Sequence, residues 1–479
     1  MKKYNRQSGV LLHPTALPGS HGIGDIGPEA YRFIDHLVDM EQSLWQVLPL
    51  GPTDIYNSPY SSASTFAGNY MLISLDILIE DGLLDKNNIM NIPLTNRINF
   101  VDVSKYKKLI LDQVSKDFNK KASDEIKNSF NQFCIDNSYW LDDYSLYTAL
   151  KEINDQKSWF DWKIKETNDP AIIYKEKIIQ FLFHEQWQRL RKYSNDKGIK
   201  IIGDMPIYIG YDSSDIYFNK DLFQLDNNDK MLFQAGCPPC EYQSDGQIWG
   251  NPLYSWEVHE RTNFDWWKKR FKKLFNMVDI IRIDHFIGYA KYFRIPITDK
   301  VANNGRWLNT PGEKLFNVLE SSINNFDIFV EDLGDISESV INLREKYNYA
   351  GMNVLQFDLN NLAEHKKIIK NSILYTGTHD NDTLLGWYKS YSNKSDLLDY
   401  FKSNEKNIIW DIIKYAFNSE SKMVIIPFQD LIGLDNSARF NIPGTLSKNN
   451  WSWRMNKEYI NESIIDKMFK ISNESNRNN

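Results

Sequence analysis

The stretch Asp279-Ile-Ile-Arg282-Ile-Asp284-His285 reads as a buried strand whose last residues turn abruptly ionisable. Two later runs repeat the pattern: Ile328-Phe-Val-Glu331-Asp332 and Ile373-Leu-Tyr-Thr-Gly-Thr-His379-Asp380. A carboxylate is costly to bury unless it is paired or used. One such ending is accounted for by a structural ion pair. Three in succession, with helical patterns between them, imply carboxyl groups gathered at one end of a barrel of parallel strands.

Outward from these runs, the apolar segments give eight strands: Gly9–His13, Leu44–Leu50, Ile199–Ile207, Asp279–Phe286, Ile328–Leu333, Met352–Asp358, Ile373–His379 and Val424–Asp430. Most are continuous rather than alternating, as expected when both faces of a parallel strand are covered. Between them lie helical stripes. Ala30, Phe33, Ile34, Leu37 and Val38 share one face, with Pro28 suited to the first turn. Ile179, Leu182, Phe183, Leu190 and Tyr193 form another, which Gly198 ends. Further helices are expected over Phe264–Phe275, Gly312–Ile323, Ser337–Tyr347, Leu362–Ile369 and Tyr400–Phe417. The alternation predicts an α/β fold, a (β/α)8 barrel spanning 1–479, with no separate carboxy-terminal β-domain. Two gaps are too long for simple connections. Residues 51–170 predict a mainly helical insertion between strands two and three. Residues 208–262, rich in Asp, Tyr, Gly and Pro, predict a substrate-facing lobe between strands three and four. The polar tail after Ser472 is expected to fray.

Composition narrows the function. A net charge of −7 argues against a nucleic-acid partner, which normally meets a basic stripe. No run of 18 apolar residues predicts a membrane span. The opening Met-Lys-Lys-Tyr-Asn-Arg lacks the apolar segment of a signal peptide, so a cytoplasmic protein is expected. Cys134, Cys237 and Cys240 build no disulfide framework. Cys237-Pro-Pro-Cys240 has the spacing of a redox motif or half a zinc site, but no second ligand pair lies nearby. No metal and no cofactor is expected. An aromatic content of 14%, with 14 Trp, suits a large aromatic core and also a surface that stacks on sugar rings.

Two carboxyl groups in different environments are the minimum for glycoside chemistry. Asp284 is the candidate nucleophile. Arg282, two residues earlier on the same side of the strand, would keep it ionised. Glu331 is the candidate general acid and base, since Ile328, Phe329 and Val330 before it would desolvate it and raise its pKa. Alternation leaves the register open between Glu331 and Asp332; the longer side chain favours Glu331, with Asp332 then in a salt bridge. His379 and Asp380 would hold sugar hydroxyls, with a satisfied core histidine as the plainer reading of His379.

Arg282-Ile-Asp284-His285, Val330-Glu331-Asp332-Leu-Gly334 and Gly377-Thr-His379-Asp380-Asn381-Asp382 resemble the signatures of the amylomaltases, the 4-α-glucanotransferases of glycoside hydrolase family 77. The likeness covers nearly the whole chain. It includes Leu11-Leu-His13-Pro-Thr15, Ser58-Pro-Tyr60-Ser61, Gly203-Asp204-Met-Pro206, Gly246-Gln-Ile-Trp249-Gly-Asn251, Gln429-Asp430, Asn441-Ile-Pro443-Gly444 and Asn450-Trp-Ser-Trp453-Arg454. The resemblance implies Asp284 as nucleophile, Glu331 as acid/base and Asp380 as a transition-state stabiliser. It implies that Tyr60, Asp204, Trp249, Arg282, His379 and Asn441 line the sugar subsites, with Ser58 and His285 in the same motifs. It implies α-1,4-glucan oligosaccharides as donor and acceptor, and glucose as a product. A hydrolase of the same clan and a non-catalytic glucan-binding barrel are the alternatives. One loop departs from the pattern: Pro238-Pro239-Cys240-Glu241-Tyr242 stands where the family usually has Pro-Pro-Asp-Tyr-Phe.

Overall fold

The computed structural model describes residues 6–477, apart from 91, 93–94, 168, 240–243, 335, 361 and 363–369. The strands in chain order are β1 (Gln7–Leu11), β2 (Leu44–Gln46), β3 (Lys200–Met205), β4 (Phe233–Cys237), β5 (Gln247–Pro252), β6 (Ile280–Ile283), β7 (Lys291–Pro296), β8 (Arg306–Asn309), β9 (Ile328–Val330), β10 (Gly351–Val354), β11 (Ser372–Tyr375) and β12 (Met423–Pro427). Eight of them form one parallel sheet in the order β10-β11-β12-β1-β2-β3-β6-β9. Its two ends meet: Val330 N donates to Ala350 O at 2.9 Å, and Phe329 bridges Ala350 in parallel. The chain therefore folds as a (β/α)8 barrel. All residues of β6, β9, β11 and β12 are buried, which is why these segments read as unbroken apolar runs.

The eight barrel strands fall on the eight expected segments, but most are shorter at their carboxyl ends. β11 pairs with β12 only as far as Tyr375, so Thr376 to Asp380 leave the sheet as a turn. β10 passes directly into the helix Leu355–Leu359. Helices cover the outside. Pro28–Asp39 starts on Pro28 and buries Ala30, Phe33, Ile34 and Leu37. Pro170–Asp196 ends before Gly198, whose φ of +81° suits a glycine at a helix stop. The expected helix over Tyr400–Phe417 is two, Lys394–Phe401 and Ile408–Asn418. The break follows from Asn404, whose side chain accepts from Lys406 N and Asn407 N and draws the backbone into a turn. The helix expected at Leu362–Ile369 lies outside the described residues, Leu362 apart.

Residues 51–170 contain the helices Phe100–Lys121, Asp124–Asp136 and Ser138–Ile153. They meet Pro170–Asp196 through edge-on aromatic contacts among Phe118, Phe130 and Phe181, with centroids 5.4–6.2 Å apart. The middle helix escapes a sequence reading because only Phe130 and Phe133 of its thirteen residues are buried. The lobe expected at 208–262 is not self-contained. Its strands β4 and β5 belong to an antiparallel sheet β5-β4-β7-β8, completed by the connection after β6. The tail is also different from expectation. Beyond the helix Glu462–Glu474, Arg477 is fully buried and donates to the carbonyls of Phe417, Ser419, Ser421 and Gln7, at 2.7, 2.9, 2.8 and 3.1 Å. Among the described residues no helix is long and apolar enough to cross a membrane.

Candidate active site

The site lies where the barrel strands end at their carboxyl side, the position at which side chains from several strands converge. Asp284 is the first residue beyond β6, and Glu331 the first beyond β9. The two turns hold each other: Glu331 N donates to Ile283 O, and Phe286 N donates to Glu331 O, both at 2.8 Å. His285 between them has φ +47°, an uncommon conformation for a residue with a side chain, and it directs its N–H onto Glu331 Oε2 at 2.8 Å. Leu333 N donates to the other oxygen at 2.9 Å. Burial first, and the charge of Asp284 second, push Glu331 up to about 7 despite these donors. Asp332 turns the other way, onto Met352 N at 2.7 Å and the Arg344 guanidinium. The two side chains therefore point to opposite sides, Glu331 toward the Asp284 turn and Asp332 toward Arg344.

Arg282 is the electrostatic centre. Its Nη1 donates to both oxygens of Asp204, at 2.8 and 2.7 Å, and stands 2.9 Å from Asp284 Oδ1. Burial opposes the guanidinium charge, but Asp204 and Asp284 outweigh it and hold its pKa well above the ordinary value. Burial pushes Asp204 up and Arg282 pulls it back. Tyr60 links this group to the next strand ends. Its hydroxyl donates to Asp204 Oδ2 at 2.6 Å and lies 3.5 Å from His379 Nδ1, while its ring stacks on His379 at 5.0 Å and 14°. The turn that presents Tyr60 is held by Asp54 Oδ1, which accepts from Tyr56 N and Ser58 N. The Ser58 hydroxyl is occupied in accepting from Tyr60 N at 3.3 Å, so in this structure it supports the loop.

Asp380 stands in the turn after β11, its side chain 44% exposed. Asn441 Nδ2 donates to its Oδ1 at 2.6 Å, and His379 Nε2 is 3.4 Å from the same oxygen. Trp249, half-buried on β5, meets His285 edge-on at 4.9 Å and 88°, which brings the β5-β4-β7-β8 sheet to the β6 side of the site. The expected residues thus form two connected groups. Asp204, Arg282, Asp284 and Glu331 make one, Tyr60, His379, Asp380 and Asn441 the other, joined by the Tyr60–Asp204 bond.

Four further residues support the site, and the sequence reading gave them no role. Arg439 Nη2 donates to Asp380 O at 2.6 Å. Trp451, with φ +64°, places its ring 5.9 Å from both Tyr60 and His379. Asp430 accepts from Thr376 Oγ1 at 2.6 Å and Leu384 N at 2.7 Å, bracing both ends of the Asp380 turn. His13, buried beyond β1, senses His379, and burial drives its pKa down to about 3. Trp451, Asp430 and His13 lie in motifs already quoted, so their positions were flagged but their partners were not. Cys240 and Glu241 of the departing loop lie outside the described residues. Among the described residues no three His, Cys, Asp or Glu side chains are grouped to hold a metal ion.

The glycoside hydrolase 77 family model, described as 4-alpha-glucanotransferase, matches residues 12–460. A 4-alpha-glucanotransferase of Aquifex aeolicus is 39% identical, covering 97% of this chain and 99% of the relative. One from Streptococcus pneumoniae serotype 4 is 38% identical, covering 98% of this chain and 97% of the relative. The solved amylomaltase from Streptococcus agalactiae in complex with acarbose superposes with a TM-score of 0.94 at 32% identity, covering 99% of this chain and all of that one. The chain belongs to the glycoside hydrolase 77 family of 4-α-glucanotransferases.

Proposed function

We propose that the chain transfers α-1,4-glucan segments between maltodextrins by a retaining double displacement. The observation that carries this reading is the unequal pair at the strand ends. Asp284 sits 2.9 Å from a guanidinium, whereas Glu331 has only backbone donors and is raised to about 7. A group near 7 both gives and takes a proton at neutral pH, which suits an acid that later acts as a base.

In the first step Asp284 attacks the anomeric carbon, the bond from that carbon to the glycosidic oxygen breaks, and Glu331 protonates the departing oxygen. The reducing-end fragment leaves, glucose when that fragment is one sugar. In the second step the 4-hydroxyl of another glucan attacks the same carbon, Glu331 takes its proton, and the bond to Asp284 breaks. Two inversions retain the configuration. Asp380, oriented by Asn441 and His379, is placed to bond sugar hydroxyls more strongly as the ring flattens. Arg282, Asp204 and Tyr60 hold one another and keep the nucleophile in place. An acceptor sugar outcompetes water through binding energy and exclusion of bulk solvent. Trp249, edge-on to His285, would supply an aromatic surface on the acceptor side. Three cysteines in 479 residues fit a reducing compartment, the cytoplasm, as the place of action.

Incubation with maltotriose tests this, beside an Asp284→Asn variant. Glucose plus a ladder of longer maltodextrins is expected from the wild type, and neither from the variant. Glucose and maltose alone would assign a hydrolase. An active variant would assign another nucleophile.

A further inference from the structure

Beside the catalytic cleft, between the barrel and the helical insertion, lies a cavity of about 80 Å³. A buried water needs roughly 10–15 Å³ on this measure, so the space holds about half a dozen waters or one small organic molecule. Its covering segment, Gly51 to Gly68, carries Tyr60. Most of its walls are aromatic or aliphatic, among them Phe133, Trp140 and Phe183.

Two bases line this cavity without an acid between them. Lys273, on the helix Asp265–Met277, is only 8% exposed. Its ammonium has a neutral amide oxygen, Asn137 Oδ1, at 3.3 Å and the face of Trp140 at 4.6 Å. His184, on the helix Pro170–Asp196, has its Nδ1 buried without a hydrogen-bond partner. Burial first, then repulsion from Lys273, drive the imidazole down to about 4, and burial drives Lys273 down to about 7. Arg270 also lines the space, but its guanidinium is turned to the carbonyls of Ile207 and Pro206 and to the faces of Trp266 and Trp267. The one carboxylate in the lining, Asp204, gives both oxygens to Arg282 and one also to Tyr60. The imidazole is neutral near pH 7 and the Lys273 amine has only an amide oxygen and a ring face beside it, so the pair can take up an anion.

The geometry points to a binding site for a small organic carboxylate, its oxygens held by Lys273 and His184 and its apolar body against Trp140 and Phe183. One ammonium and one ring N–H satisfy a single carboxylate. A phosphate dianion would leave oxygens against apolar walls. Tyr60 and Asp204 line this cavity as well as the sugar site, so the two sites adjoin.

Benzoate is the probe. Titrated calorimetrically into the full-length enzyme at constant ionic strength, it should bind saturably at one site per chain. Lys273→Met should weaken that binding about tenfold or more, since one charge-assisted bond of this kind carries at least 1.4 kcal/mol, a factor of ten. The variant should keep its maltotriose disproportionation. Inorganic phosphate should bind far more weakly than benzoate. No saturable binding of benzoate in the millimolar range, or binding that Lys273→Met leaves unchanged, overturns the proposal. Should the variant fail to fold, crystals of the wild type grown with benzoate decide. A carboxylate between Lys273 and His184 supports the site, and ordered water there overturns it.

Discussion

Glu331 shows how much a single residue's behaviour depends on its surroundings. Its raised pKa, about 7, comes from burial and from Asp284, neither of which a run of three apolar residues specifies in amount. If it donates the proton to the leaving oxygen, kcat/KM depends on its protonated form. Activity should then fall roughly tenfold per unit above about pH 7. A pH profile on maltotriose checks this, and a rate that holds level to well above neutrality would remove Glu331 from the role of acid. At this scale the sequence disclosed residue types and their order: Asp284, Glu331 and Asp380 were legible as ionisable endings of apolar runs. It did not disclose that Ser58 spends its hydroxyl on Tyr60 N, or that Tyr60 has one ring face already covered by His379. Those pairings join residues far apart in the chain, and no local period records them.

At the scale of elements, strand positions were legible and their ends were not. A parallel strand buried on both faces announces itself by composition. Its last residue is set by where neighbouring ladders diverge, as between Tyr375 and the Asp380 turn. That turn has its own support in Asp430, which is 1% exposed and accepts from Thr376 and Leu384 at its two ends. Asp430→Ala would leave both donors buried without a partner, at about 1–3 kcal/mol each. Chemical denaturation should show a loss of about 2–6 kcal/mol for the two donors together, and kcat should fall at temperatures where the variant is fully folded. An unchanged kcat would mean that the Asp380 turn holds its shape unaided. The break between Lys394–Phe401 and Ile408–Asn418 teaches the same lesson: the apolar stripe ran on, but Asn404 offered the backbone a competing set of bonds.

For the whole molecule, the tail is the test of what holds the barrel's amino-terminal end. Arg477 bonds carbonyls at the start of β1 and just before β12, on the side away from the carboxylates. Arg477→Met should lower the melting temperature by a few degrees, as expected for a loss of about 1–3 kcal/mol in a chain of this size, with transfer at low temperature unchanged. Equal loss of activity and stability would contradict that separation. Sequence by itself determined the (β/α)8 barrel and pointed to carboxyl groups at the ends of its strands, because continuous apolar runs and their ionisable endings are local properties of the chain. Tertiary structure alone decided that β7 and β8 complete the sheet begun by β4 and β5, that Arg477 plugs rather than frays, and that Lys273 and His184 line one cavity. Each of these depends on which distant surfaces are brought together, and that is set by packing in three dimensions rather than by the spacing of residues along the chain.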